Sequence, residues 1–451
     1  MNLLEFKDLL FKAGQEHGFT DMELAYEREE KFGCELYKGE IDSYDTSEVF
    51  GVAFRGVFNG KMGNSFSEKL DEESIQFLLE NAKENSQIVE EENEEIFAGS
   101  ESYEEGTFYS EPLREVSIPE KMNLLKEIEK YIYEYDERVT GTDYFQLSSA
   151  ETERALLNSK GLSLQEKQNY LGLYVSVVVK QGDEIKNGAY SKFTKDFESL
   201  NPQEIAKQAV EEALSQLGAK SIDSKNYRVL LRHDAAGSLF NTFSPIFSAE
   251  RTQKGESLLK DKVGEGIAVS TLTIVDDPTL KEGLLSRTFD SEGVATSKRV
   301  VVEEGKLVTL LHNQKTAKKE GVQSTGHGYK ASYKGTLTVA PTNLFIQPSE
   351  KSFEELVASI EEGVLITDLS GLHSGANSVS GDFSVAASGF YIKNGKIETS
   401  VNQMTIAGNF FELLNQVEDF GSDLEFAMSF VAPGYIGSPS LIIKELAVTV
   451  E

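Results

Sequence analysis

The stretch His233-Asp234-Ala235-Ala236-Gly237-Ser238 follows an apolar run, Tyr227 to Leu231, and opens a helical pattern carrying Ala236, Leu239, Phe240, Phe243 and Phe247. A strand that delivers a histidine and an acid to a helix start is where a metallopeptidase places a zinc ligand and a general base. The position five beyond His233 is Ser238, a neutral hydroxyl and a poor ligand for zinc. The stretch therefore reads either as a working site or as the remains of one.

Working outward from it, the chain upstream reads as α+β. Residues 3–17 set Leu3, Phe6, Leu10 and Phe11 near one helical face, with Gly18 as a stop. Phe32 to Tyr37 and Val49 to Phe54 have strand composition, and Asn59-Gly60 is a hairpin signal. Helices are expected from Asp71 to Glu84, with Ile75, Leu78, Leu79 and Ala82 inward, and from Pro119 to Tyr135, with Met122, Leu125, Ile128 and Ile132 inward. Strands are expected at Thr140 to Ser149, Glu153 to Asn158 and Tyr170 to Lys180. Asn201-Pro202 with Glu204 is a capping-box start for a helix to Leu217, closed by Gly218.

Downstream, β signals and glycine turns dominate from Gly266 to the end, with hairpin tips at Glu304-Gly305-Lys306 and Asn394-Gly395-Lys396. Two helices interrupt them, Ser352 to Glu362 and Phe410 to Val417. The expected layout is an N-terminal α+β domain with a mixed sheet and helices (1–88), an acidic linker or surface excursion (89–118), a middle α+β segment that can continue the first (119–222), and a mainly antiparallel β domain (223–451) carrying the metal-like motif.

At 451 residues the chain can build two or three cores. Its formal charge of −31 argues against a nucleic-acid partner, because neutralising phosphates requires clustered Lys and Arg. About −22 of it falls in the first 150 residues, where Glu90, Glu91, Glu92, Glu94 and Glu95 nearly adjoin. Solubility is the simplest meaning of such acidity. No apolar run is long enough to span a membrane and the N-terminus lacks a signal peptide's apolar centre, so a cytoplasmic location is expected. Cys34 is the only cysteine, which excludes an internal disulfide and a cysteine-built metal cage. With no histidine near it in sequence, it reads as a buried structural thiol.

Other candidate chemistry is thinner. His233, His312, His327 and His373 could join in a metal site only by converging in space, since no two lie closer than 15 residues. Ser324-Thr325-Gly326-His327-Gly328 has the glycine content to turn amides toward an anion, against the simpler reading of a β-turn. His373, Asp382 and Ser380 or Ser384 could form a hydrolase triad, but no Gly-x-Ser-x-Gly surrounds either serine. Asp276-Asp277-Pro278 could bind a cation, although Asp-Pro after a strand is first of all a turn.

Four ordered motifs carry a resemblance to a known family: Phe289-Asp290-Ser291-Glu292-Gly293-Val294, Ser324-Thr325-Gly326-His327, Gly381-Asp382-Phe383-Ser384 and Thr405-Ile406-Ala407-Gly408-Asn409. The chain resembles the TldD/PmbA family, also called modulator of DNA gyrase. The passage Gly60-Lys61-Met62-Gly63 to the helix near Asp71 is similar to that family's N-terminal domain. The resemblance implies one of two paired subunits. The TldD type resembles a zinc metallopeptidase, with His-Glu-x-x-x-His and a C-terminal cysteine as third ligand. The TldE type, or PmbA, lacks those residues and closes a cleft against TldD. The pair is associated with proteolysis of short or unfolded peptides, including maturation of peptide antibiotics and removal of an antitoxin.

Against that pattern, Asp234 stands for the glutamate and draws the carboxylate back by about 1.5 Å, which matters for a base that must reach a bound water. Ser238 stands for the second histidine. Pro433-Gly434-Tyr435-Ile436-Gly437-Ser438-Pro439-Ser440 lies where the cysteine would be, and no cysteine follows Cys34. The resemblance thus implies a TldE/PmbA-type subunit. No catalytic residue and no metal are expected at the motif-equivalent positions His233, Asp234 and Ser238, and zinc is expected on a TldD-type partner. Partners would be that subunit in a heterodimer, or self in a homodimer, together with a peptide. Two alternatives stay open: a self-associating metallopeptidase with a rearranged site from His233, Asp234 and a histidine such as His327, and a peptide-binding module with no catalytic partner.

Overall fold

The structure, a computed structural model, describes residues 1–89, 95–428 and 434–450. Glu90, Glu91, Glu92, Glu94 and Pro433 lie outside the described residues.

The N-terminal part consists of α1 (Leu3–Glu16), β1 (Phe19–Tyr37), β2 (Glu40–Phe58), β3 (Lys61–Ser67), α2 (Glu72–Ile88), α3 (Glu111–Glu115), α4 (Ile118–Tyr135), β4 (Val139–Asn158), β5 (Ser163–Gln181), β6 (Glu184–Thr194) and α5 (Pro202–Ser215). The strands form one sheet in the order β3-β2-β1-β4-β5-β6. Every ladder in it is antiparallel, so the mixed sheet expected here is a purely antiparallel one. Side chains alternate across a strand, so the even-numbered residues of β1 share a face. Met22 and Leu24 of that face pack on Phe6 and Leu10 of α1 and on Ile75, Leu78 and Leu79 of α2. Farther along the same face, Phe32, Cys34 and Leu36 pack on Leu125, Ile128 and Ile132 of α4 and on Ile205, Ala209 and Val210 of α5. Each such fully buried aliphatic side chain stabilises the fold by about 1.5–3 kcal/mol relative to exposure.

Between the two helix pairs lies a charged waist, Glu27-Arg28-Glu29-Glu30-Lys31. Cross-strand ion pairs run from it, Arg28 to Glu48 at 2.7 Å and Arg154 to Glu27 at 3.2 Å. This waist makes β1 and β2 far longer than the two apolar runs implied, and it joins the two strands expected at 140–149 and 153–158 into β4.

Local signals set the element ends. The β2–β3 turn takes Asn59 and Gly60 at φ of 52° and 78°, the left-handed pair of a type I′ hairpin. Asn201 caps α5 by accepting from the amides of Gln203 and Glu204, while the Glu204 carboxylate pairs with Gln208 one turn on. The acidic stretch read as a linker or excursion is anchored in its described part. Ile96 is buried, the Phe97 carbonyl accepts from Asn158, and the Tyr103 hydroxyl donates to the Gly293 carbonyl at 2.8 Å.

The C-terminal half starts with β7 (Lys225–Leu231) and α6 (His233–Phe243). β7 lies beside strands Glu362–Ser370 and Leu441–Val450, and the ring continues through Met404–Asn409 and Asp382–Lys393 back to Glu362–Ser370. A second sheet runs in the order Lys306–Leu307, Arg299–Glu303, Ile274–Asp276, Asn343–Ile346, Tyr435–Ser438, Glu425–Met428. Two ladders are parallel, β7 with Glu362–Ser370 and Asn343–Ile346 with Tyr435–Ser438; the others in these sheets are antiparallel. Leu239, Phe240 and Phe243 of α6 lie in the core between the ring and this sheet, and Phe243 stacks on Phe410 at 4.5 Å.

Two helices are shorter than their patterns implied. The first is Phe353–Ala358, capped by Ser352, and Glu362 already begins the strand beside β7. The second is Phe410–Leu413, and Val417 pairs with Ile443. In both, strand pairing overrides local propensity. Among the described residues, no helix is long and apolar enough to cross a membrane.

Candidate functional site at the start of helix α6

The pairing of Leu231 with Leu441 sets Arg232 and His233 beside Ser440. The His233 amide donates to Ser440 Oγ at 3.1 Å, and the imidazole Nδ1 lies 3.2 Å from Asp423 Oδ2. Ser440 also donates to Asp423, from Oγ at 2.6 Å and from its amide at 3.0 Å. Burial alone would lower the His233 pKa, but the hydrogen bond to Asp423 and the nearby Asp234 charge outweigh it and raise it. Burial likewise works against the Asp423 carboxylate, and its bonds to His233 and Ser440 overcome that and hold its pKa below the ordinary value.

Asp234 is committed elsewhere. Arg232 donates to its Oδ1 from Nε at 2.9 Å and to its Oδ2 from Nη2 at 2.6 Å, and the same guanidinium makes a two-pronged contact with Glu212 of α5 at 3.0 and 3.1 Å. Desolvation opposes the Arg232 charge, yet these bonds raise its pKa, so the clamp is charged at any ordinary pH. Ser238, half-buried, offers only a hydroxyl.

A zinc ion needs three protein donors with free lone pairs. Here one imidazole nitrogen is shared with a carboxylate, both Asp234 oxygens accept from a guanidinium, and the third position is a serine. These donors do not fit zinc. Among the described residues, no three His, Cys, Asp or Glu side chains gather as a ligand set.

The other histidines do not converge on this point. His327 is buried with both ring nitrogens engaged, Nδ1 with Thr325 Oγ1 and Nε2 with Asp276 Oδ2, each at 2.8 Å, which leaves none for the rearranged site with His233 and Asp234. His312 is buried, and burial lowers its pKa. His373 is exposed on the short helix Leu372–Gly375. The hydrolase triad does not form either. Ser380 Oγ donates directly to Asp382 Oδ2 at 2.8 Å, Asn409 holds the other oxygen, and Ser384 is exposed on a strand. Asp276 accepts from the Thr342 amide and hydroxyl as well as His327, while Asp277 closes a turn through Thr279. Cys34 is buried, and burial pushes its thiol up, away from nucleophile chemistry.

The first two family motifs form one buried unit. Asp290 accepts from the amides of Glu292, Val294 and Gly328 at 2.8–3.0 Å, so the glycine-rich turn does hold an anion, the protein's own carboxylate. Glu292 accepts from the Gln314 amide at 2.7 Å, and burial, then Asp290, pushes its pKa up to about 7. The last two motifs pair as strands, Asp382 opposite Asn409 and Phe383 opposite Gly408. Sequence reasoning missed Asp423 and the Arg232–Glu212 clamp. Ser440 lay within the quoted C-terminal stretch, but nothing in sequence tied it to His233.

Fold and site together define an α+β chain with a mainly β C-terminal half, in which His233 is held by Asp423 and Asp234 by Arg232 at the start of α6. Three family models match in order: PmbA/TldA metallopeptidase domain 1 over residues 22–86, the central domain over 111–217 and the C-terminal domain over 224–450. The chain belongs to the PmbA/TldD metallopeptidase family. It is similar to an uncharacterized protein of Methanocaldococcus jannaschii, 29% identical over 96% of this chain and 98% of that one. The Escherichia coli O157:H7 metalloprotease PmbA is 28% identical over 69% of this chain and 67% of its own length. A solved Thermotoga maritima structure named as a modulator of a DNA gyrase superposes with a TM-score of 0.92 at 34% identity, covering 99% of this chain and all of that one. TldE of Thermococcus kodakarensis shares the fold, with a TM-score of 0.89 at 23% identity over 98% of this chain and all of that one.

Proposed function

We propose that this chain is the non-catalytic, TldE/PmbA-type subunit of a peptidase whose zinc sits on a TldD-type partner, and that it encloses short or unfolded peptides for that partner. The observation that carries the reading is the saturation of Asp234 by Arg232, which removes the general base from the position a peptidase needs it. Ser238 in place of a histidine, and a sequence with no cysteine after Cys34, support it. Peptide recognition would use strand addition, in which backbone hydrogen bonds supply affinity. Glu425–Met428 is suited to that role: it starts two residues beyond Asp423 and, among the described residues, pairs on one side only.

The test is co-purification with the TldD-type chain of the same organism, followed by cleavage of an unfolded peptide by each component and by the mixture. The expected result is a stable complex, cleavage by the mixture and none by this chain alone. Zinc-dependent cleavage by this chain alone would overturn the reading, and failure of the two chains to associate would favour a peptide-binding module without a catalytic partner.

A further inference from the structure

A second concave feature lies away from the α6 start, where the open face of the N-terminal sheet meets the turn after Ser286. It is a cleft of about 50 Å³, whose charged lining is Arg154, Arg287 and Lys330 with Glu27, Glu166 and Asp290; Glu27 is paired with Arg154, and Asp290 accepts from three backbone amides. Arg287 is 4% exposed. Its Nε donates to the Leu285 carbonyl at 3.3 Å, and among the described residues no carboxylate lies within ion-pair distance of its guanidinium. Glu166, across the cleft, has a buried Oε2 with no hydrogen-bond partner. Lys330 adds a second cation that makes no ion pair among the described residues, whereas Arg154 is already paired with Glu27.

This is not how a chain docks two domains. Burying a guanidinium and a carboxylate is costly; the Tyr329 ring under Arg287 and the upward shift that burial gives the Glu166 pKa offset part of it, and a group bridging the two would offset more. Here they face a shared cavity. A volume of about 50 Å³ admits roughly four water-sized groups, enough for a carboxylate with its α-carbon, the α-nitrogen then lying against the wall. The acid on the opposite wall disfavours a multiply charged anion and favours a ligand that presents an N–H donor next to its negative group.

We propose that this cleft binds a small α-amino carboxylate, either a free amino acid or the carboxyl-terminal residue of a short peptide, with the carboxylate on Arg287 and Lys330 and the α-nitrogen facing Glu166. The site lies wholly within this chain, so it stands with or without a catalytic partner.

Calorimetric titration of the full chain tests it, with glycine, acetate, inorganic phosphate, and trialanine as free acid and as carboxyl-terminal amide. The expected result is saturable one-site binding of glycine, of the free-acid peptide, or of both. Glycine alone assigns a free amino acid, and the peptide alone assigns a chain terminus. The amide and phosphate should bind at least tenfold more weakly. Lys330→Gln and Arg287→Gln should each weaken binding at least tenfold, and Glu166→Gln should weaken glycine while sparing acetate. Should Arg287→Gln fail to fold, the acid–amide comparison on the unaltered protein and Lys330→Gln carry the test. No saturable binding of either acid, equal binding of acid and amide, tighter binding of phosphate, or unchanged affinity in a folded Lys330→Gln protein would each overturn it.

Discussion

Asp234 and Asp290 are carboxylates in the same half of the molecule, and they are stabilised in opposite ways. Asp234 is exposed, and a guanidinium that also holds Glu212 meets its charge. Asp290 is buried, and three backbone amides donate to its carboxylate, although burial still raises its pKa above the ordinary value. A charge answered by side chains can be exchanged residue by residue without refolding the backbone. A charge answered by amides fixes the path of the chain through two motifs at once. The start of α6 is therefore a place where chemistry can be lost while the fold stays, and the Asp290 unit is scaffold.

The largest effect should come from the scaffold side. Asp290→Ala leaves three buried amides unsatisfied and should cost about 3 kcal/mol or more, at roughly 1–3 kcal/mol for each unmet group. Denaturant unfolding measures it, and a loss below 1 kcal/mol would break the contrast. Gly51→Ala comes next. An added Cβ at Gly51 would stand 2.2 Å from Tyr333 Cζ, which should cost about 1–3 kcal/mol. Tyr333→Ala in the same chain should restore most of the loss if docking of the N-terminal sheet on this unit is the cause.

Glu292→Gln sharpens the comparison through pH. With a folded pKa of about 7, against roughly 4.3 for an unfolded chain, wild-type Glu292 keeps a proton that the unfolded chain releases. Its contribution to stability therefore falls as pH rises from about 4 to 7. Glutamine keeps an acceptor for the Gln314 amide, so the variant should gain on wild type between pH 5 and pH 8; a gain in the other direction contradicts the assignment. Asp234→Ala should change stability least, by at most about 1 kcal/mol, as for other exposed ion pairs.

The architecture was legible wherever a segment is amphipathic on one face. α2, α4, α5 and the strand-to-helix step into α6 follow from apolar spacing and caps. The middle of β1 was not, because Glu27-Arg28-Glu29-Glu30-Lys31 satisfies itself by cross-strand ion pairs and shows no apolar alternation. The candidate site was half legible. His233, Asp234 and Ser238 are adjacent in sequence, and their reading needed only a count of ligands. Asp423 reaches His233 from 190 residues away through a loop, and Glu212 reaches Arg232 from another helix. No spacing rule connects such pairs, since only the packing of the whole chain brings them together.

The reading of a non-catalytic subunit depends on Asp234 being held by Arg232 and His233 Nδ1 by Asp423, with only a hydroxyl at Ser238. Calorimetric titration of zinc into the full chain, freed of metal beforehand and kept near neutral pH, tests it most directly. The predicted result is no stoichiometric site, and no difference between wild type and His233→Ala. One zinc per chain, lost in His233→Ala, would contradict it.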